Sequence, residues 1–393
     1  MNSCICCHDR LLRHINHHRV YWFCPACHQE MPNMDIYMLN SHLKKLKAKM
    51  QNKSLVSKIF EKAIAGNQVY DADIEAGIKA DKPISEIYES LIFKDIRDTC
   101  DCFKEIYEQT GELDGYVSIE VDPHLARDTE GTVEEAIRYY RAIERENVMI
   151  KIPGTPEGFP AIERIIAEGI NVNITLLFSV ESYENAAWAC IHGLETKVER
   201  DKPIDKIASV ASFFLSRIDT KIDDRINERL KNIGTETLNE DVRLSRVQGK
   251  VAIANAKSAD RKFREITQSD RWKAIANKGA NIQRLLWVST STKNPEYNDV
   301  MYVNELVGEH TVNTLPPDTL EACANRCDIT ANPIETNVEE AKPLIASLQD
   351  SDIKVDLNEV MQELLEEGID KFIQPFDSLQ QTLSGKVKQL VTT

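Results

Sequence analysis

The chain has 393 residues, 42% of them hydrophobic, and a formal net charge of -15. That apolar fraction is globular rather than disordered, and the length suits one large α/β barrel with a small appendage. The acidic balance argues against indiscriminate attraction to nucleic acid or anionic membrane, and no apolar stretch approaches the roughly 18 to 20 residues that cross a bilayer.

Charge is unevenly placed: residues 1–53 hold eight Lys/Arg against three Asp/Glu, and six of the nine histidines. The N-terminus is a cysteine cluster rather than a charged and then apolar signal peptide, so the sequence reads as cytoplasmic. Five of the ten cysteines fall in the first 27 residues, which suits metal binding in a reducing compartment better than a disulfide framework. Cys4 and Cys7, then Cys24 and Cys27, form a C-x2-C-x16-C-x2-C pattern. Each pair can present two thiolates to one tetrahedral structural zinc, and four thiolates leave no open position for a catalytic water. Leu11 to His14 and Arg19 to Phe23 read as a small hairpin between the knuckles, giving a zinc-ribbon-like module over residues 1–33 that needs its metal to fold. Cys6, His8 and His28 stand beside these ligands as spares. Tyr21, Trp22 and Phe23 with nearby basic residues are suited to stacking on a base, but a hairpin this small needs them as its own core. Residues 34–53, with Lys44, Lys45, Lys47 and Lys49, read as a basic linker.

From residue 54 to 393 the pattern changes. Short β-branched or aromatic runs recur at Tyr116–Val121, Val148–Pro153, Asn173–Phe178, Ile207–Leu215, Arg284–Thr290 and His310–Leu315. Helix-length segments such as Glu134–Arg145 and Asn239–Ile266 separate them, as in parallel strands joined by helical crossovers. Strands of this kind are buried on both faces, so the polar residues inside them stand out: Glu120, Lys151, Asn173 and Thr175. A lysine so placed loses solvation, which favours its neutral, nucleophilic form and suits Schiff-base formation with a carbonyl. In a (β/α) barrel the functional groups stand at the C-terminal strand ends, where Lys151, Glu120 and Thr175 are expected to converge. Asp122 and His124 follow Glu120 closely and read as a turn after the strand.

The stretches IFEKAIAG, VSIEVDPHLARDTEGT, VMIKIPGTPEGFPAI, GINVNITLLFSVESY, VASFFLSRIDTKID, RLLWVSTSTKNPEYNDVMYV, TVNTLPPDTLEA and IDKFIQPFDSL give the segment from Ile59 onward a resemblance to transaldolase in its longer-chain bacterial form. The resemblance implies an α/β, (β/α)8 TIM-barrel-like fold and transfer of a dihydroxyacetone unit from a ketose phosphate to an aldose phosphate. No catalytic cofactor is implied, and sugar phosphates are the expected partners. Lys151 would form the Schiff base at C2 of fructose 6-phosphate or sedoheptulose 7-phosphate, linking glycolysis to the pentose phosphate pathway. Glu120 and Thr175 would hold the water that shuttles protons during carbinolamine dehydration. Asn173 and Ser212 would hydrogen-bond the dihydroxyacetone hydroxyls, and Arg217 would clamp the phosphate through its planar fork of donors. Ser289, Ser291 and Lys293 end the next strand and are further candidates for a phosphate contact.

The family's two preceding barrel strands, one carrying an acid-base aspartate and the next a Thr-Ser-Asn-Pro motif, have no counterpart before Ile59. The sequence thus predicts a barrel lacking its first two strands, with two open edges that a ribbon or a second subunit would have to cover. Loss of the aspartate predicts a cleavage step slower by the order of 10² to 10⁴. Asp35, Asp71 and Asp73 lie in no strand-like context and are not expected to replace it. A second reading, from another class, is a catalytically impaired body whose ribbon contacts nucleic acid or protein.

Overall fold

The computed structural model describes residues 12–16, 19–24, 29–31, 64, 68–232, 246–329, 332–350 and 353–392. They belong to two compact units, Met1–Val69 and Tyr70–Thr393. In the first, β1 (Leu12–Asn16), β2 (Arg19–Cys24) and β3 (Gln29–Met31) form an antiparallel sheet in that order. The expected hairpin is there, with Asn16 opposite Arg19, and it gains a third strand through Cys24 opposite Gln29. Cys4, Cys7 and Cys27 lie outside the described residues, as does the basic linker, and Cys24 is described only as the last backbone position of β2.

The second unit begins with α1 (Asp71–Lys79) and α2 (Ile84–Gln109). Six parallel strands follow: β4 (Val117–Glu120), β5 (Val148–Pro153), β6 (Val172–Leu177), β7 (Ser209–Phe214), β8 (Arg284–Val288) and β9 (Thr311–Asn313). Each pairs with the next in chain order. That single winding is the barrel-type connection, and all six strands expected from the sequence are present. Buried β-branched and aromatic side chains dominate these runs, which is why they leave water as strands. Helices α3 (Thr129–Ile143), α4 (Gly158–Ala167) and α5 (Val180–Glu199) alternate with the strands, followed by α6 (Ser216–Asn232) and α7 (Val251–Thr267).

The sheet curls. Met149, Val210 and Leu286 form an apolar plug on its concave side, with Tyr116, Ala208, Val288 and Val312 packed against it. The residues come from β5, β7, β8 and β9 and from the residues just before β4 and β7, so the cluster joins both ends of the strand order. Arg284 Nη2, at the start of β8, donates to the carbonyl of Leu113, just before β4, at 2.6 Å. On the outer face Trp287 is fully buried and donates through Nε1 to the Leu306 carbonyl at 2.8 Å.

Part of the expected helix from Asn239 to Ile266 lies outside the described residues; within it a turn at residues 248–250 precedes α7, which begins at Val251 after Gly249, whose φ of +67° is left-handed and suits glycine. The cap comes from another helix: Asp219 Oδ1 accepts the Ala252 N–H at 2.8 Å and Asp223 Oδ1 that of Gly249 at 3.1 Å. Tyr302 and Tyr297 donate their hydroxyls to the same two carboxylates, each at 2.7 Å. Burial pushes the Asp219 carboxyl up to about 7 against these donors. No single-segment pattern reveals a cap supplied across the fold.

Further helices are α8 (Asp270–Ala276), α9 (Met301–Leu306), α10 (Pro317–Arg326) and α11 (Val338–Ser347). The last, α12 (Leu357–Thr392), contacts α1, α2, α6, β6 and the 3-10 turn Pro123–Arg127. Arg225 holds it through Glu363 at 2.6 Å, and Lys386 reaches Asp71 at 2.9 Å. Asp73 pairs with Lys94 at 2.8 Å, so both aspartates of the first turn of α1 are held in ion pairs. Cys323 and Cys327 are joined within one turn, whereas Cys100, Cys102 and Cys190 are free thiols. The joined pair is a local link that the expectation of reduced cysteines did not include. No helix of the described residues is long and apolar enough to cross a membrane.

Candidate active site

Parallel register does the first part of the assembly. Glu120 of β4 is paired with Lys151 of β5, and Lys151 with Asn173 of β6. Directly opposite residues in a sheet point to the same side, so a carboxylate, an amine and an amide stand in one row. Lys151 Nζ lies 2.7 Å from Glu120 Oε1, with the two side chains 24% and 31% exposed. These values keep both groups reachable while removing most of their water. Glu120 Oε1 accepts no directional hydrogen bond from the protein, so the contact is one of charge and proximity.

Glu120, Lys151 and Thr175 line one cavity of about 30 Å³, together with Val121, Pro153 and Leu176 from the strand ends and Ile369 and Phe372 from α12. A space of that size accommodates about one water. Thr175 is buried and its Oγ1 has no protein hydrogen-bond partner. A buried hydroxyl left unpaired costs about 1 to 3 kcal/mol, an expense that a water or substrate hydroxyl would offset. The Lys151 ammonium lies 5.5 Å from the Phe372 ring centroid. An apolar helix face thus closes over the amine from one side.

The turns at the strand ends are built for close approach. A Cβ on Gly158 would fall 2.1 Å from the Pro153 carbonyl, so only glycine lets α4 start directly above β5. Thr155 Oγ1 donates to the Ala126 carbonyl at 2.7 Å, tying that turn to the one after Glu120. Asp122 accepts the His124 N–H at 2.9 Å and caps the 3-10 turn, as the sequence reading of a simple turn requires. In β6 the register to β7 shifts between Ile174 and Leu177, and Leu176 takes a φ of +61°. That bulge sits next to the site, where such irregularities re-aim side chains.

Asn173 and Ser212 are both buried and meet each other: Ser212 Oγ donates to Asn173 Oδ1 at 2.7 Å. Arg217 stands at the next strand end, the second residue of α6, and does not line the cavity around Lys151. Its Nη1 is buried without a protein partner, and its guanidinium carbon lies 5.3 Å from the Phe214 ring centroid. Burial lowers its pKa, with Glu367 acting in the opposite direction. Leu215 and Ser216 donate their N–H groups to the carbonyls of Val288 and Ser289, each at 3.1 Å, fixing the turn that carries the arginine. An unpaired guanidinium at a helix start is matched to a phosphate. Lys293 Nζ donates to Ser291 Oγ at 2.7 Å on the exposed loop after β8.

Sequence reasoning missed the contribution of α12. Ile369 and Phe372 lie in the IDKFIQPFDSL stretch, but only the fold brings that stretch over β5. Among the described residues no cluster of three or more His, Cys, Asp or Glu is arranged to hold a metal.

A reachable amine touching a carboxylate at the C-terminal ends of curled parallel strands, with a buried hydroxyl and a nearby unpaired guanidinium, is the equipment of a lysine-dependent aldolase-type enzyme. Comparison with known proteins gives the family. The profile described as transaldolase/fructose-6-phosphate aldolase matches residues 42–383. A transaldolase of Trichodesmium erythraeum is 64% identical over 332 residues, covering 84% of this chain and 87% of that protein. A protein of a Nostoc species named transaldolase 2 is 60% identical with the same coverage, and a transaldolase of Saccharopolyspora erythraea is 42% identical over 331 residues, 84% of this chain and 86% of that one. The chain belongs to the transaldolase/fructose-6-phosphate aldolase family. The second reading, a catalytically impaired body whose ribbon contacts nucleic acid or protein, gains no support from these relatives.

Proposed function

We propose that the chain carries out transaldolase chemistry with Lys151 as its covalent nucleophile. The observation that carries this is the 2.7 Å approach of Glu120 to Lys151 beside the unpaired Thr175 hydroxyl. Neutral Lys151 attacks C2 of the ketose phosphate, and a water held by Glu120 and Thr175 delivers the proton that lets the carbinolamine lose hydroxide as water. Loss of the C4 hydroxyl proton to water then lets the C3–C4 bond break, its electron pair moving into the iminium to leave an enamine on Lys151, and the aldose phosphate departs as an aldehyde: three carbons from fructose 6-phosphate, four from sedoheptulose 7-phosphate. The dihydroxyacetone unit stays on Lys151, adds to the aldehyde of an acceptor aldose phosphate, and is freed by hydrolysis of the new imine. Asn173 and Ser212 hold its hydroxyls, and Arg217 grips the phosphate, a role supported by its unpaired buried Nη1.

The reaction needs no metal from the catalytic unit. A structural zinc on Cys4, Cys7, Cys24 and Cys27 is part of the same proposal. Its support is the cysteine spacing, with Cys24 the last backbone position of β2. Zinc content measured by elemental mass spectrometry would fall in Cys24→Ser if the assignment is right. The barrel over residues 54–393, the ribbon over 1–33 and the linker over 34–53 complete the proposed organisation.

Borohydride reduction in the presence of fructose 6-phosphate, followed by peptide mapping, tests the catalytic reading. A three-carbon adduct on Lys151, absent from Lys151→Ala, is expected. A six-carbon adduct would show imine formation without cleavage, and no adduct on folded protein would overturn the assignment.

A further inference from the structure

We propose that Ser118 is a positioning residue for this site, acting through Asn173. The inference rests on the reading of Asn173 as a substrate-binding group and adds a residue to which no role has been given. Ser118 lies two residues before Glu120 in β4, on the same face of the strand and one layer deeper. Asn173 Nδ2 donates to Ser118 Oγ at 3.0 Å, a bond that passes over β5, the strand between them. On its other side Asn173 Oδ1 accepts from Ser212 Oγ at 2.7 Å. The amide is therefore held at both ends by hydroxyls from β4 and β7, beside Lys151 in the same row.

The two-sided hold matters because the terminal torsion of an asparagine is broad and soft. A hydroxyl can donate or accept, so either orientation of the amide is gripped, and its plane is fixed in both. Each end of the amide keeps capacity beyond these two bonds, one N–H and one oxygen lone pair, for a ligand. Ser212 is itself assigned to the ligand, so its hydroxyl is shared during the reaction. Ser118 then becomes the fixed half of the clamp. Without it Asn173 would rotate in the step where the dihydroxyacetone unit must be held against Lys151.

The test is a mutant cycle in the full chain, with initial rates for fructose 6-phosphate and erythrose 4-phosphate and with folding monitored by thermal melting. Ser118→Ala is expected to lower kcat/KM about 5- to 10-fold, the usual consequence of losing one hydrogen bond. Ser118→Thr, which keeps the hydroxyl, is expected to recover most of that loss. In the Asn173→Ala background the Ser118 substitution should cost nothing more, because the residue acts through Asn173. Should the alanine variant not fold, Ser118→Cys, with its weak donor, takes its place in the cycle. Full additivity of the two substitutions, or no effect of losing the hydroxyl, would overturn the proposal while leaving the role of Asn173 intact. No effect of Asn173→Ala alone would instead overturn the substrate-binding reading on which it rests.

Discussion

Glu120 and Lys151 occupy paired positions on adjacent strands, and their charged atoms meet at 2.7 Å. A contact so close in a site largely shielded from water couples the two groups during proton transfer. Glu120→Gln keeps the shape and removes the proton acceptor. We expect kcat to fall by 10² to 10⁴, the range for loss of a general acid-base group, with the melting temperature little changed because Glu120 is a third exposed. Steady-state kinetics decide this, and a kcat within a factor of three of the parent would remove Glu120 from the proton path.

The strands were legible before the structure because each is a short run of residues that pack well on a pleated surface, interrupted by one or two polar groups. The row Glu120, Lys151 and Asn173 was legible as three candidates, but not as a row. Its register depends on where each crossover helix returns the chain, which local pattern does not encode. The lid formed by Ile369 and Phe372 was invisible for the same reason. So was the cap of α7, supplied by Asp219 and Asp223 of α6.

Leu176 and Gly368 test how the lid acts on the site. Leu176 holds a left-handed φ of +61°, which costs a non-glycine residue about 1 to 2 kcal/mol. A Cβ on Gly368 would come 2.8 Å from Leu176 Cδ2. In Gly368→Ala the helix gains about 1 kcal/mol in propensity, while the forced contact costs about 1 to 3 kcal/mol. Stability should thus change little or fall slightly. Displacement of Leu176 would shift its neighbour Thr175, so kcat should drop several-fold. Unchanged kcat in a folded variant would mean that α12 covers the site without positioning it.

Arg217 makes a prediction about substrate discrimination. Charge-assisted hydrogen bonds to a phosphate contribute about 1.5 to 3 kcal/mol. Arg217→Met should raise KM for fructose 6-phosphate roughly 10- to 100-fold, with a much smaller effect on unphosphorylated fructose. Equal losses for the two sugars would assign Arg217 to the architecture of the β7–α6 turn instead of to the phosphate.

His124 ties the same lid to the turn after β4. Its Nδ1 is 2.7 Å from Asp122 Oδ1 and its Nε2 3.2 Å from Asp377 Oδ1 of α12, with the Phe376 ring alongside. The hydrogen bond to Asp122 is the main cause of a pKa above the ordinary imidazole value; burial opposes it and the charges of Asp122 and Asp377 support it. A raised folded-state value means that the folded protein holds the proton more tightly than the unfolded chain does. The stabilisation is therefore complete below about 6.5, the unperturbed value, and is lost as pH rises through the folded-state value. Half-exposed side chains make the effect small and sensitive to salt. Asp377→Asn should lower the melting temperature at pH 6 more than at pH 9, with the gap shrinking in high salt. A melting difference independent of pH would show that Asp377 holds α12 by some other contact than the charged imidazole.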